Sequence, residues 1–294
     1  MAGIGAIIEI DARLLRAWPL PRPDGAADKE ERGATLVIAG SAEMPGAAAL
    51  AATSALRAGA GKTAVATVAA IAPGIALRLP EARVIAMAET EAGGIAADAM
   101  GKIDAQLAGV DAVLIGPGLQ DAAATRAFTR RVLERATHAA VVVDALAMDA
   151  VLDVRRFERT LLLTPHAGEM AHLTGATKEA VSADPERHAR EAASRWNAVV
   201  VLKGATTYIA TPDGECWRHG GSQPGLGTSG SGDVLAGLIV GLMARGAPLA
   251  QAAVWGITLH AHAGRALAER LGPIGYLARE LPREIPNLLD KLAH

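Results

Sequence analysis

The chain has 294 residues, of which 51% are hydrophobic and only 3% aromatic. This length allows one large α/β domain, whose core must be filled by Ala, Val, Leu and Ile. The formal net charge of −2 gives no electrostatic reason to expect nucleic acid or an acidic membrane as partner. Cys216 is the only cysteine, which excludes an intrachain disulfide and fits a reducing cytoplasm.

The chain begins with an apolar stretch, 3–8, that is followed at once by Glu9 and Asp11. It is too short and wrongly flanked for a signal peptide. No other stretch reaches the roughly 18 uncharged apolar residues that a membrane span requires. We therefore expect no membrane association and treat residues 1–30 as an N-terminal extension.

Short β-branched runs then alternate with longer Ala-rich segments. The runs predicted as strands are 35–39, 63–68, 83–87, 112–115, 140–143, 160–163 and 199–202. Between them, helices are predicted at 47–58, 95–107, 122–136 and 185–196. Continuous apolar strands separated by helices predict an α/β fold with a central, mostly parallel sheet and helices on both faces.

The rhythm changes after Lys203. Two short strands, 207–210 and 215–218, flank a turn and predict an antiparallel hairpin. Helices are then predicted at 234–245 and 249–269. No long polar linker divides the chain, apart from a charged segment at 24–32, so we predict a single domain over residues 1–294.

The segment QPGLGTSGSGD, 223–233, ends a loop and starts a helix. A helix start exposes free backbone N–H groups and is electropositive, and glycines leave room for a phosphate there. Asp233 could then take a proton from an attacking hydroxyl. The alternative is an Asp that merely caps the helix after a flexible loop.

Two glycine-containing segments follow other predicted strands, at the edge where ligands of such sheets bind. The segment 40–46 is a small-residue helix entrance that could face an anion. The turn 116–118 has glycines at both ends, which permit close approach of a ligand. Each could also be a tight turn without function.

Charged residues follow the next two strands. His166 and Glu169 stand three residues apart at a helix entrance, where they could bind a ligand and order a metal-bound water. Alternatively, Glu169 only complements the helix dipole and His166 is a solvated loop residue. Lys203 and the hydroxyls of Thr206 and Thr207 could meet a diphosphate, although a Lys-Gly pair is often just a turn.

In their joint order these segments resemble the ribokinase-like superfamily and, within it, the NAD(P)H-hydrate dehydratases. The similarity spans about residues 30 to 285. Its stretches are GSAEMPGAA (40–48), LRAGAGK (56–62), IGPGL (115–119), LTPHAGEM (163–170), VVLKGATT (200–207) and PGLGTSGSGDVLAG (224–237). Superfamily kinases generally have Asn in place of His166, so the TPHxGE form indicates the dehydratase branch.

The resemblance implies a carbon–oxygen lyase that repairs hydrated NADH or NADPH, with ADP as phosphoryl donor and ATP as an alternative. It implies Asp233 as the catalytic base, and Ala47, Gly118, His166 and Asp233 as substrate contacts. Glu169 would act on Mg²⁺ through water. The implied nucleotide contacts are Lys203, Gly204, Ala205, Thr206, Thr207, Gly230, Ser231 and Gly232. A homo-oligomer, of which the tetramer is the common form in the family, and a separate epimerase acting on the same substrate are also implied.

The chain departs from the family pattern at several positions. Four single residues differ: Gln120 stands where the family has Gly, Leu146 where it has Asp, Asp149 where it has Asn, and Ala167 where it has Pro. The motif GSGD stands where the family has GTGD, and an HKG-like element is not obvious around Asp28 and Lys29. Two alternatives therefore stay open: a superfamily kinase of a vitamin precursor or sugar alcohol, and a non-catalytic nucleotide-binding protein. His166 argues against the first, and Asp233 with its glycines argues against the second.

Four further residues are interpreted as structural. His260 resembles a family position near the nucleotide, but a packed or capped histidine is the preferred interpretation. Trp255, on the same predicted helix, is a core residue or an oligomer contact. Cys216 lacks the basic surroundings of a reactive thiolate, and His172 has no partner at metal-ligand spacing.

Overall fold

The computed structural model describes residues 5–21, 29, 31–221 and 223–292. Its strands form one ten-stranded sheet in the order β1-β10-β9-β8-β7-β6-β5-β2-β3-β4. Within the described residues, only β9 runs opposite to its neighbours. The strands are β1 (Ile7–Glu9), β2 (Ala34–Ile38), β3 (Lys62–Val68), β4 (Arg83–Met87), β5 (Ala112–Ile115), β6 (Ala140–Val143), β7 (Leu161–Leu163), β8 (Ala198–Leu202), β9 (Thr207–Ala210) and β10 (Cys216–His219).

Helices cover both faces of this sheet. They are α1 (Ala12–Ala17), α2 (Pro45–Arg57), α3 (Ala72–Arg78), α4 (Asp104–Leu107), α5 (Ala122–Arg135), α6 (Ala167–Thr174), α7 (Lys178–Ala183), α8 (Pro185–Trp196), α9 (Ser231–Ala244), α10 (Leu249–Leu271) and α11 (Leu281–Leu292). Shorter 3₁₀ helices lie at Ala99–Lys102, Ala145–Asp153, Pro224–Leu226 and Ala278–Glu280.

The alternation of side chains along each strand creates two hydrophobic cores. In β6, Val142 belongs to the core that contains α2, α9 and α10. Its neighbours Val141 and Val143 belong to the opposite core, where they join Phe128 of α5 and Trp196 of α8. Both faces of the sheet are therefore buried, as expected for parallel strands.

Helix α9 packs very closely against α2. A Cβ on Gly237 would lie 2.2 Å from the carbonyl oxygen of Ala51, and one on Gly241 would lie 2.5 Å from that of Ala55. Any larger side chain at these two positions would force the helices apart. The contact fixes the start of α9 above the carboxyl edge of the sheet.

The fold class expected from the sequence is confirmed, and each predicted strand is present within a residue or two of its expected bounds. The helix predicted at 95–107 is wrong. Ile95 instead forms a β-bridge with Glu89, and only a 3₁₀ turn and the single turn of α4 follow. Gly93 and Gly94 precede this segment and Gly101 lies within it, so helix propensity is poor.

The N-terminal residues join the sheet and core. Strand β1 pairs with β10 in parallel, and Trp18 stacks on Trp217 with ring centroids 5.7 Å apart. Trp255 donates from Nε1 to the Trp18 carbonyl at 2.9 Å, which confirms Trp255 as a core residue. Residues 1–4, 22–28 and 30 of the segment treated as an extension lie outside the described residues.

Two global features of the sequence can be compared with the structure. Across the described ranges, no helix combines the length and apolarity needed to cross a membrane. Cys216 is a buried free thiol on β10. Burial raises the pKa of that thiol to about 11, in agreement with the absence of a reactive thiolate expected from the sequence.

Candidate active site

The site lies where five neighbouring parallel strands end. Because β2, β5, β6, β7 and β8 run side by side in the same direction, the segments that follow them meet at one edge. These segments carry most of the residues that the sequence predicts as functional. The start of α9 reaches the same edge from above.

Helix α9 begins without a side-chain cap. Its N-cap is Gly230 at φ +86°, and no described side chain makes a capping hydrogen bond to the N–H groups of the first turn. The helix starts at Ser231, three residues earlier than predicted, so Gly232 and Asp233 lie in its first turn. The open N–H groups of this turn and the helix dipole favour an anion there.

Asp233 is held in a state suited to proton transfer. Burial raises the pKa of Asp233, the nearby charge of Asp144 adds to this increase and Lys203 opposes it, and the resulting pKa is about 7. A carboxyl group that titrates near neutral pH is a good match for a general base. The interpretation of Asp233 as a simple capping residue lacks support, because α9 has no side-chain cap hydrogen bond.

Lys203 connects the carboxylates of this edge. Its Nζ lies 3.4 Å from Oδ1 of Asp144 and 3.9 Å from Oε2 of Glu169. A Cβ on Gly232 would come within 3.7 Å of the same Nζ. Burial lowers the pKa of Lys203, but the carboxylates outweigh it and the net shift is upward. The ammonium is therefore a permanent positive charge beside the α9 N-terminus.

Asp144 is a buried carboxylate directly after β6. It accepts a hydrogen bond from the Thr164 hydroxyl in addition to its ion pair with Lys203. Its carbonyl oxygen also fills the space beside Gly116, where a Cβ would approach to 1.8 Å. The sequence reasoning did not select Asp144 as a site residue. Its position immediately after a central strand was the signal that could have identified it.

His166 and Glu169 form a capping box at the start of α6. The His166 ring accepts from the N–H groups of Gly168 at 3.0 Å and Glu169 at 3.1 Å through Nδ1. In return, Oε2 of Glu169 accepts from the His166 N–H at 2.8 Å. Neither a free loop histidine nor a simple first-turn acid describes this pair. Because Nδ1 accepts these two bonds, Nε2 is the ring nitrogen that is left as a donor.

The two remaining predicted substrate contacts lie against each other. A Cβ on Gly118, whose φ is +64°, would be 2.5 Å from the Cβ of Ala47. The N–H of Gly40 donates to the Pro117 carbonyl at 2.8 Å and joins the two turns that carry these residues. Gln120 bonds through Nε2 to Glu43 at 2.7 Å, so this departure from the family pattern adds a link between the same turns.

A cleft of about 420 Å³ opens beside the start of α9. Six of the eight predicted nucleotide contacts line it: Lys203, Gly204, Ala205, Thr207, Ser231 and Gly232. Thr206 and Gly230 are their chain neighbours and do not line it. His166 also borders the cleft, so the cleft meets the capping box.

His260 is a buried residue that lines this cleft. Its Nε2 is 3.0 Å from the Ser231 hydroxyl and 3.1 Å from the Ser231 carbonyl oxygen. Burial lowers the pKa of His260 to about 4, so the ring is neutral at pH 7. The interpretation of His260 as a packed histidine is confirmed. It also supports the first residue of α9, a role the sequence did not indicate.

Two other departures from the family pattern lie together beside α6. Leu146 and Asp149 line a second cavity of about 460 Å³, and His166 lines both this cavity and the cleft. His172 Nε2 is 3.0 Å from Asp149 Oδ1, so this histidine has a carboxylate partner that the sequence did not reveal. Ala167 is the first residue of α6, and Asp28 lies outside the described residues.

No ready-made metal cage is present in the described ranges of the chain, since no group of three or more His, Cys, Asp or Glu side chains converges. The contacts described for Glu169 all fall on Oε2. This geometry fits one carboxylate beside a hydrated Mg²⁺ whose other ligands are phosphate oxygens and water.

Comparison with known proteins matches this geometry to a family. The family profile described as NAD(P)H-hydrate dehydratase matches residues 35–287. The ADP-dependent (S)-NAD(P)H-hydrate dehydratase of Xanthomonas campestris pv. campestris is 48% identical over 283 residues, which cover 96% of each chain. A bifunctional NAD(P)H-hydrate repair enzyme of Moorella thermoacetica is 38% identical, and the match covers 95% of this chain but 54% of that enzyme.

A solved structure agrees with the sequence relatives. The ADP/ATP-dependent NAD(P)H-hydrate dehydratase of Bacillus subtilis, co-crystallised with ATP and Mg²⁺, superposes with a TM-score of 0.82 at 29% identity. The match covers 97% of this chain and 99% of that one, and the expected ribokinase-like fold is thereby confirmed. Profile, sequence and structure agree over almost the whole length, and this chain belongs to the NAD(P)H-hydrate dehydratase family.

Proposed function

We propose that this protein uses ADP to dehydrate hydrated NADH or NADPH and so restores the reduced nicotinamide nucleotide. The observation that carries the proposal is Asp233, with a pKa of about 7, in the uncapped first turn of α9 and near the Lys203 ammonium. A base poised near neutral pH beside an anion-binding helix start suits phosphoryl transfer to a hydroxyl group.

The proposed reaction begins at the C6 hydroxyl of the hydrated ring. The Asp233 carboxylate takes the hydroxyl proton while the oxygen attacks the terminal phosphorus of ADP, and AMP leaves. The N–H groups around Gly232 hold the phosphoryl oxygens in transit. The ring nitrogen then donates its electron pair, the C6–O bond breaks and inorganic phosphate departs. The resulting iminium loses a proton from C5 to water, which restores the C5=C6 double bond of the reduced nicotinamide. Phosphorylation thus converts hydroxide into a good leaving group.

The surrounding residues bind and orient the two ligands in this proposal. Ala47 and Gly118 present a side-chain-poor surface to the nicotinamide nucleotide, and His166 offers its Nε2–H as a donor. The cleft lined by Lys203 receives the nucleotide donor, whose diphosphate points at the α9 N-terminus. His260 holds Ser231 in place from behind.

Glu169 is the residue proposed to hold Mg²⁺, through water. When bound, the ion would screen the negative charge of the donor's phosphates. The His166 N–H donates to the Glu169 carboxylate and holds it in place. A metal-bound water would therefore find an acceptor that is already oriented.

Three coarser features complete the proposal. One sheet that includes both β1 and β10 supports treating residues 1–294 as a single domain. Bifunctional NAD(P)H-hydrate repair enzymes are among its relatives, which supports the proposal that an epimerase acts on the same substrate. We also propose that the protein is cytoplasmic and forms a homo-oligomer, with a tetramer as the expected assembly.

Recovery of the absorbance of the reduced nicotinamide ring tests the function directly. Hydrated NADH or NADPH would be mixed with the protein and Mg²⁺, first with ADP and then with ATP. We expect absorbance to return with ADP, together with stoichiometric AMP and phosphate. If the absorbance does not return and the protein instead phosphorylates a vitamin precursor or sugar alcohol, it is a kinase of the same superfamily. Nucleotide binding without any turnover would establish a non-catalytic protein.

A further inference from the structure

The cavity beside α6 has features of a ligand site in its own right. Its volume of about 460 Å³ is close to that of the nucleotide cleft. Leu146, Met148 and Leu173 supply apolar walls. The Asp149–His172 pair adds a hydrogen-bond acceptor and a ring nitrogen at 3.0 Å from each other. Apolar walls with a few polar groups are typical of sites for flat heterocycles.

The backbone places this cavity one residue away from the catalytic region. Asp144 faces Lys203, whereas the next residue, Ala145, lines the cavity. Ala145 has φ +49°, in the left-handed region that a side chain bearing Cβ rarely adopts. This strained residue turns the chain between the two environments, and such strain concentrates at functional sites.

The substrate requires space beyond the cleft. A hydrated dinucleotide carries an adenosine half as well as its reacting nicotinamide half, and the cleft is taken by ADP. With the nicotinamide ring near Asp233, the second half needs a separate apolar cavity connected to that position. His166 lines both the cleft and the cavity and therefore marks their junction.

We propose that the cavity lined by Leu146 and Asp149 binds the adenosine half of the hydrated dinucleotide substrate. This inference rests on the proposed function. It gives the two departures from the family pattern a role, since Leu146 provides apolar surface for the base and Asp149 with His172 provides polar contacts. It also predicts that these residues act on the dinucleotide and leave ADP unaffected.

A comparison of two substrates tests the proposal. Hydrated reduced nicotinamide mononucleotide contains the reacting ring but lacks the adenosine half. Leu146→Trp should fill the cavity and raise KM for hydrated NADH about tenfold or more, with KM for the hydrated mononucleotide and for ADP unchanged. Leu152→Trp is the matched control, because Leu152 lies on the same 3₁₀ helix, is 42% exposed and does not line the cavity.

The outcomes separate this inference from the function on which it rests. An unchanged KM for hydrated NADH in Leu146→Trp, or equal increases for both substrates, would overturn the proposed adenosine site. Turnover of the mononucleotide reports that the variant is folded. If that turnover is lost, Asp149→Ala decides in its place: a KM increase confined to hydrated NADH supports the site, and any other pattern overturns it. A wild-type enzyme inactive on both substrates would instead contradict the proposed function.

Discussion

Helices α6 and α9 start at the same edge of the sheet and both have an acid as their third residue, but their N-termini differ in capping. Helix α6 is closed by a reciprocal cap between His166 and Glu169. Helix α9 starts at a glycine, has no side-chain cap among the described residues, and carries Asp233 with a raised pKa. A capped start satisfies its own N–H groups and fixes its side chains. An uncapped start keeps its N–H groups available for a ligand.

The largest effect on activity is expected when the acid in the first turn of the uncapped helix α9 is removed. Asp233→Asn should lower turnover by about 10² to 10⁴, because positioned general-base catalysis contributes that much. ADP affinity, measured by calorimetry, should change little. A variant that keeps more than a tenth of the wild-type rate would exclude Asp233 as the base.

The second-largest effect is expected when a branched side chain is introduced at the uncapped start of α9. Gly232→Val meets no clash in the protein, since its Cβ would be 3.7 Å from Lys203 Nζ, but it would occupy the phosphate position. Losing one charged hydrogen bond costs about 1.5 to 3 kcal/mol, so ADP should bind roughly tenfold to a hundredfold more weakly. Calorimetry on Gly74→Val, in the first turn of α3 with open space around it, is the control. Unchanged ADP affinity in Gly232→Val would place the nucleotide elsewhere.

The pH dependence of kcat/KM tests whether Asp233 in α9 acts as the base. Asp233 acts as a base only when ionised, so kcat/KM should fall about tenfold per unit as pH decreases below its pKa of about 7, and level off above it. The charge of Asp144 raises that pKa, and Asp144→Asn should therefore move the acid limb to lower pH. ADP also titrates in this pH range, but an acid limb caused by ADP would not move in Asp144→Asn. If the acid limb stays at the same pH in this variant, the limb belongs to the nucleotide and not to Asp233.

The smallest effect is expected at the capped helix. Asn is itself a good N-cap, so His166→Asn should keep α6 folded and remove mainly the Nε2–H donor. Losing one hydrogen bond to an uncharged group should cost about 0.5 to 1.5 kcal/mol, which corresponds to a few-fold to about tenfold increase in KM for the hydrated nucleotide. Steady-state kinetics with each ligand varied separately would measure it. An increase confined to the ADP KM would move His166 to the nucleotide side.

Sequence patterns predicted the parts of this site that depend on backbone order along the chain. The strand ends that carry Gly118, His166 and Lys203 followed from apolar runs, and the glycines before Asp233 identified a helix start. The exact start at Ser231 was missed because Ser and Gly are weak helix formers that packing overrides. The cap at His166 was missed because it depends on a ring rotamer.

Contacts between distant segments were beyond sequence reasoning. The Asp149–His172 pair joins residues 23 positions apart. The left-handed turn at Ala145, near Asp149 in the chain, was likewise not predicted by its residue type. The support that His260 gives to Ser231 likewise requires α9 and α10 to pack side by side. Hydrophobic periodicity predicts two helices, but not which of their polar residues meet.

The buried thiol of Cys216 has a practical consequence for spectroscopy. Since its pKa is about 11 and its side chain is inaccessible, thiol reagents at neutral pH should leave it intact. A cysteine introduced at Leu77, which is 87% exposed, would then be the single labelled position without a cysteine-free background. A fluorophore or spin label there could report on ligand-dependent motions of the otherwise unmodified protein.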